Sequence, residues 1–377
     1  MQRIQLHYSL QDTPSSGVIQ HPLLDMLEAV AKQGSISGAA KALNLSYRHV
    51  WGALKKWEEV LGRDVILWGK GHTAQLSPFG QRLLLTERQA QARLAPHIEA
   101  IHAELERSFA LNYDAHTPVL SLHASFDSAY SVLRQFASEQ GDLSVHLDLM
   151  PCVSVDALRA LNEGRASLAG FHVLENASKH SMAAHIYKPL LDVMQHRVIS
   201  LGRRAQGLIV ARGNPLRLHS LEDVAEKKAH FVNRPLGTGT RVVLADLMLQ
   251  SQLHPEDIRG FDDEEPSHNA LAQAIAQGQA DVGLGIASAA RAKDLDFIPL
   301  CQEHDLLVCH ASLVQHPAIQ SLCQMLRSTT WQQQLYELGG HDCQGSGEVQ
   351  SLNSYLPWWS GNCLRDANER IATFSFT

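Results

Sequence analysis

The chain has 377 residues, enough at ~100–200 residues per domain for two or three domains, and its 45% hydrophobic and 19% charged residues are those of a globular protein, not of a disordered or collagen-like one. No run approaches the ~18 apolar residues of a bilayer helix, the segment Met1 to His7 lacks the apolar core of a signal peptide, and six cysteines form no C-x-x-C pair, so a cytoplasmic protein with reduced thiols and no zinc module is expected. The net charge of −7 disfavours nucleic acid only as a whole-chain sum: residues 1–111 hold 12 Lys/Arg against 10 Asp/Glu, residues 112–377 hold 20 against 29, and residues 32–72 alone hold 7 against 3.

From His21, the apolar spacing Leu23, Leu24, Leu27, Val30, Ala31 predicts a helix ended by Gly34. A short second helix follows Ser35 and buries Ile36, Ala39, Ala40 and Leu43. Asn44 suits a left-handed turn, and Ser46 caps a third helix that buries Val50, Leu54, Trp57 and Leu61. The outer face of that helix shows Tyr47, Arg48, His49, Trp51, Lys55 and Lys56. Small residues at a close crossing behind, with phosphate and base-edge donors in front, are what a helix-turn-helix needs. Two short strands around Gly69-Lys70-Gly71-His72 predict a wing with Lys70 at its tip, placed to reach a phosphate. Ser77-Pro78-Phe79-Gly80 then opens a long amphipathic helix to about residue 110, whose apolar stripe is best covered by a second copy of itself. The DNA-contacting set expected from this segment is Ser35, Ser46, Tyr47, Arg48, His49, Trp51, Lys55 and Lys70.

The run Ser35 to Ser46 resembles the helix-turn-helix of LysR-type regulators, and Ser46-Tyr47-Arg48 with Trp51 is closer still to ModE-type molybdenum-responsive regulators. Leu61-Gly62 through Leu76-Ser77-Pro78-Phe79-Gly80 resembles the wing and linker-helix entry of both families. Over about residues 20–110 the resemblance implies that the third helix lies in the major groove of double-stranded DNA. It further implies a near-palindromic operator and a homodimer or homotetramer paired through the linker helix.

From Pro118 short apolar runs alternate with helical stretches, the pattern of a parallel sheet in an α/β domain. Strands are expected at 119–123, 145–149, 166–171, 229–233 and 281–286, with helices at 127–138, 155–163, 241–251 and 269–277. The segments 197–201 with 207–210, and 297–300 with 306–309, read as two crossings between lobes, the plan of a hinged binding protein with its ligand in the cleft. Three strand-to-helix entries carry polar groups that suit an anion: Ser125, Asp127 and Ser128; Arg234, Gly237, Thr238, Gly239, Thr240 and Arg241; and Ser267, His268 and Asn269. His172, ending a predicted strand, is a further candidate donor. These phrases, with Asp281 to Ile286, resemble the periplasmic-binding-protein-like domain that accompanies ModE-type DNA-binding domains. The Arg234 and Gly237 to Thr240 combination also resembles the phosphate- or tungstate-type loop of transport receptors.

The resemblance implies a small-molecule sensor for an oxyanion such as molybdate or tungstate. Asp127 argues against that assignment, because a carboxylate repels a doubly charged oxyanion. A small organic acid or other metabolite therefore stays open as the effector, as does a solute-binding or storage protein that does not touch DNA. No Walker lysine, G-x-S-x-G elbow or H-E-x-x-H motif is present, so neither an enzyme, a cofactor nor a metal site is expected. The fold expected is multidomain, α followed by α/β. A winged helix-turn-helix spans 1–76 and a linker or dimerisation helix 77–112. A two-lobed type II periplasmic-binding-protein-like domain spans 117–345, with lobe 1 at about 117–195 and 305–345 and lobe 2 at about 198–298, and a tail spans 346–377.

Overall fold

The structure, a computed structural model, describes residues 21–68, 73–113, 118–125, 127–140, 145–338 and 341–359. The chain divides into two compact units, residues 1–98 and 99–377. Among the described residues no helix is long and apolar enough to cross a membrane.

In the first unit, helices α1 (Pro22–Gln33), α2 (Ile36–Ala42) and α3 (Tyr47–Leu61) precede a hairpin of β1 (Ile66–Trp68) and β2 (Ala74–Leu76). Each helix boundary has a local cause. Gly34 and Gly62 end α1 and α3 in the left-handed conformation, at φ of 64° and 66°. Ser35 and Ser46 accept the backbone N–H groups of Gly38 and His49 at 3.0 and 3.1 Å, and Asn44 makes the turn between α2 and α3 at φ 54°. Leu27, Val30, Ile36, Ala39, Ala40, Val50, Leu54 and Val65 form the core, and the two alanines allow the short helices to approach. The long helix α4 (Pro78–Tyr113) begins in this unit. A Cβ on Gly80 would lie 2.3 Å from the Val65 carbonyl oxygen, so only glycine fits where α4 starts against the hairpin.

The second unit is built on one sheet, in the order β4-β3-β5-β9-β6-β8-β7 among the described residues. At one end β3 (Val119–Ala124) lies parallel to β4 (His146–Pro151) and β5 (Leu168–Leu174). At the other, β7 (Phe231–Val232) lies parallel to β8 (Val282–Ile286). The segments expected as separate pieces of two crossings run on as two long strands, β6 (His196–Val210) and β9 (Asp296–His310), antiparallel to each other and shared by both ends of the sheet. Their mutual register shifts between Ser200 and Gly202 and again between Gln206 and Gly207. Helices α5 (Ser128–Ser138), α6 (Ser154–Asn162), α7 (Met182–Tyr187), α8 (Leu221–Glu226), α9 (Gly239–Gln250) and α10 (His268–Ala276) come from the crossover connections. After α11 (Ala287–Arg291), α12 (Pro317–Arg327) and α13 (Thr329–Leu338), the chain returns to β6 through β10 (His341–Asp342) and β11 (Val349–Ser351). One apolar core runs without a break from Phe171, Ala183 and Tyr187 to Phe231, Val243 and Met248. The α6 and α7 side of the sheet is thus packed directly against α9. Residues 360–377 of the expected tail lie outside the described residues.

Candidate functional site

The first site is the outer face of α3. Its first turn begins at the Ser46 cap, so Tyr47, Arg48 and His49 stand at the helix N-terminus, and Trp51 follows one turn on. All four are exposed, Tyr47 by 50% and Trp51 by 42%, while Val50 and Leu54 behind them are fully buried. Lys55 is differently placed. Its Nζ donates to Glu58 at 2.7 Å, and Glu58 also accepts the backbone N–H groups of Val65 and Ile66 at 2.9 and 3.1 Å. Glu58, which the sequence pattern did not single out, therefore fixes the hairpin to α3. The hydroxyl oxygens of Ser35 and Ser46 serve as caps, and each hydroxyl keeps its proton for a further acceptor. Lys70 lies outside the described residues.

The second site is a buried polar cluster where the ends of β3 and β7 face each other across β6 and β9. Asp127 caps α5, accepting from Ala129 N at 2.9 Å, and its other oxygen accepts from Arg204 Nη1. Arg204 Nε donates to Glu303 at 2.6 Å, and Gln206 Nε2 donates to Glu303 at 2.9 Å and to the Thr240 hydroxyl at 3.1 Å. Thr240 Oγ1 lies 3.4 Å from His268 Nε2. Tyr130 OH donates to Asp305 at 2.7 Å, and His172 Nε2 sits 3.3 Å from the same carboxylate oxygen. Arg234 Nη1 donates to the Glu265 carbonyl at 2.6 Å. All of these side chains are buried, Arg204 to 2% and Glu303 to 0% exposure.

Burial alone would raise the Asp127 carboxyl, but Arg204, His268 and His341 outweigh it and hold that group well below the usual carboxylate range. Asp305 is lowered in the same way, against its burial, by His172 and Arg204. Burial would lower His172, yet Asp305 beside it raises its pKa, whereas burial with Arg234 and Arg204 nearby pushes His268 well below the usual imidazole value. Burial brings Arg234 down to about 10.

Of the ligand set expected from sequence, the structure brings Asp127, His172, Arg234, Thr240 and His268 into this cluster. The Thr238 hydroxyl is occupied: it caps Arg241 N at 3.3 Å and donates to the Pro235 carbonyl at 2.8 Å. Ser267 caps Ala270 N at 3.0 Å, and Asn269 is exposed on the outer side of α10. Arg241 turns away, stacking 4.1 Å over the Phe261 ring and donating to the Phe261 carbonyl. Ser125 is half-buried, and the Ser128 side chain lies outside the described residues. The glycines serve close approach: a Cβ on Gly239 would lie 2.8 Å from His172 Nδ1, and the Gly237 carbonyl accepts from Val155 N at 3.3 Å. Sequence reasoning missed Arg204, Gln206, Glu303, Asp305 and Tyr130. The available signal was charge of opposite sign next to apolar strand residues, Arg203 and Arg204 before Leu208-Ile209-Val210 and Glu303 and Asp305 before Leu306-Leu307-Val308, since a charge in a buried stretch is tolerated only when paired.

Residues 134–327 of the chain, more than half of it, match the PBP superfamily domain. The chain belongs to the PBP superfamily. Ahead of this PBP-superfamily domain, residues 22–81 match the bacterial regulatory helix-turn-helix protein family of LysR type. The chain thus carries a LysR-type helix-turn-helix match ahead of a PBP-superfamily domain. It is 27% identical over 197 residues to the uncharacterized protein YvgK of Bacillus subtilis (strain 168), covering 52% of this chain and 63% of that protein, so it spans less than two thirds of that relative. It is 32% identical over 98 residues to an uncharacterized protein of the ferredoxin 2Fe-2S gene 5' region of Clostridium pasteurianum, covering 26% of this chain and 87% of that one. Among solved structures, it is similar to a hydrogen-peroxide-bound mutant of Corynebacterium glutamicum OxyR, with TM-score 0.44, 16% identity and coverage of 84% of this chain and 93% of that one. It is similar also to CbnR, a LysR family transcriptional regulator, with TM-score 0.39, 16% identity and coverage of 81% and 99%.

Proposed function

We propose that the chain binds a near-palindromic operator as a dimer or tetramer paired through α4, and that a small effector in the buried cluster of the PBP-superfamily domain changes its operator affinity. The observation that carries the DNA reading is the first two turns of α3, where Tyr47, Arg48, His49 and Trp51 are exposed over the fully buried Val50 and Leu54. Such a face offers donors and aromatic surface to a major groove, with Arg48 able to fork onto a guanine or a phosphate. For the effector, the convergence of three helix N-termini with Arg234 favours an oxyanion such as molybdate or tungstate. The Asp127 carboxylate favours a small organic acid or other metabolite that brings its own hydrogen-bond donor.

An effector shifts the regulator only through differential affinity for its two arrangements. The DNA reading is tested by gel-shift titration with the DNA upstream of the chain's own gene. Arg48→Ala is expected to weaken operator binding by about 10- to 100-fold. If Arg48 contacts a phosphate, the slope of log K against log salt is also expected to fall by about one. Unchanged affinity would sink the assignment of α3, and no shift at all with the wild-type chain would favour a solute-binding or storage protein.

A further inference from the structure

The charges of the buried cluster can be weighed by sign. Asp127, Glu303 and Asp305 are buried together, and Glu265, also buried, adds a carboxylate beside Arg234. Facing them are two guanidiniums, Arg204 and Arg234, and the imidazoles of His172, His268 and His341, the last two held toward the neutral form by burial. The formal sum is negative whether or not His172 carries its proton. The Arg204 guanidinium is committed on both sides, to Asp127 and to Glu303. An entering dianion would find only Arg234 without a direct carboxylate ion pair, and that guanidinium already has Glu265 near it, at a site of unfavourable sign and low dielectric, where an uncompensated charge is most costly. Other polar atoms in the same cluster lack partners among the described residues: Nε of Arg234, a donor; Nδ1 of His268; and two acceptors, Oε1 of Gln206 and Oδ2 of Asp305. A ligand that satisfies them must accept from Arg234 and donate to Gln206 or Asp305.

We propose that Asp127 is the charge-selecting residue of the buried cluster, holding Arg204 so that the site rejects dianions and takes a net-uncharged small molecule with both a hydrogen-bond acceptor and a donor. A zwitterionic amino acid or a neutral amide has this chemistry. The proposal rests on the reading of this cluster as the effector site, and it chooses between the two effector classes that reading leaves.

Calorimetric titration of the full chain with sodium tungstate tests it. The wild-type chain is expected to show no binding at millimolar tungstate, and Asp127→Asn to gain affinity by about ten-fold or more, since one unit of opposing charge is removed within a few ångströms of Arg204. Asparagine still caps a helix, so α5 keeps its N-terminus. Asp127→Ser removes the same carboxylate and keeps a capping oxygen, is expected to gain tungstate binding in the same direction, and decides the matter if Asp127→Asn does not fold. Tungstate binding to the wild-type chain as tight as to the variants, or no gain in either variant, overturns the proposal. Operator gel shifts with and without tungstate separate it from the regulator reading. A gain of tungstate binding with operator affinity unmoved supports the charge selection and counts against the coupling. Wild-type tungstate binding that moves operator affinity supports the coupling and overturns the charge selection.

Discussion

Glu58 holds two backbone N–H groups of the hairpin and the Lys55 ammonium on a single buried carboxylate. Removing it leaves the Val65 and Ile66 donors buried and unpaired, and each such donor costs about 1–3 kcal/mol. Glu58→Ala is therefore expected to destabilise the first unit by about 3 kcal/mol, read as a lowered urea midpoint of the transition reported by the α3 tryptophans. A loss below about 1 kcal/mol would mean that the hairpin is held by its apolar contacts alone. Gly239 is a second residue whose identity is fixed by its neighbour. A Cβ there would press on His172 Nδ1 at 2.8 Å and on His172 Cβ at 2.9 Å, and the β5 backbone behind His172 is buried on both faces. Gly239→Ala is expected to cost about 1–3 kcal/mol, the usual range for overpacking. Denaturant unfolding measures it, and a neutral substitution would show that the α9 entry can retreat from β5.

At the scale of elements, α9 is joined to α7 by a buried carboxylate. Asp246 accepts from the N–H groups of Met182 and Ala183, so its side chain, with Ser181, closes the N-terminus of a helix from another part of the sheet. Burial pushes the Asp246 pKa up to about 6, despite those hydrogen bonds. Because the folded value lies above the ordinary one of 3.8, the stability this group contributes is complete below about pH 4 and is lost as the pH rises through 6. The shift corresponds to about 3 kcal/mol. The carboxylates Asp127 and Asp305 act in the opposite sense, their contribution being present above the ordinary carboxylate value and lost only at more acid pH. A thermal-unfolding series from pH 4 to 8 is expected to show a fall in stability that Asp246→Asn flattens, with the variant the more stable at pH 8. An unaltered profile in the variant would show that Asp246 ionises in the folded chain as it does in water.

For the whole molecule, the sequence pattern was most informative where one residue type has one physical use. Gly34 and Gly62 after apolar periodicity, Ser35 and Ser46 before it, and Asn44 between two helices each mark a backbone conformation that the structure shows at that position. Five strands and four helices of the α/β unit were legible in this way, to within a few residues at their ends, whereas α7, α8, α11, α12 and α13 were not singled out. The buried cluster was only half legible. Asp127, Thr240 and His268 stand at helix entries, where a local rule points to them, but Arg204, Glu303 and Asp305 derive their meaning from partners about a hundred residues apart, as in the Arg204 to Glu303 pair. Spacing along the chain carries no trace of such a pairing. Thr238 shows the converse: the local pattern that suggests an anion donor is also that of an ordinary helix cap, and the structure uses its hydroxyl for the cap.

The paired strands β6 and β9 have a mechanical consequence. Arg204 lies between the two register shifts of that pair, directly opposite Glu303, and His341 of β10 is laid alongside it. A change of angle between the ends of the sheet would therefore have to flex this ribbon, with no loop on which to swivel. The guanidinium is thus part of the cluster and sits on the ribbon that joins the two ends of the sheet. If the cluster is the effector site proposed above, whatever loosens the grip of Arg204 on Asp127 or Glu303 is expected to alter the stiffness of the ribbon at the same side chain.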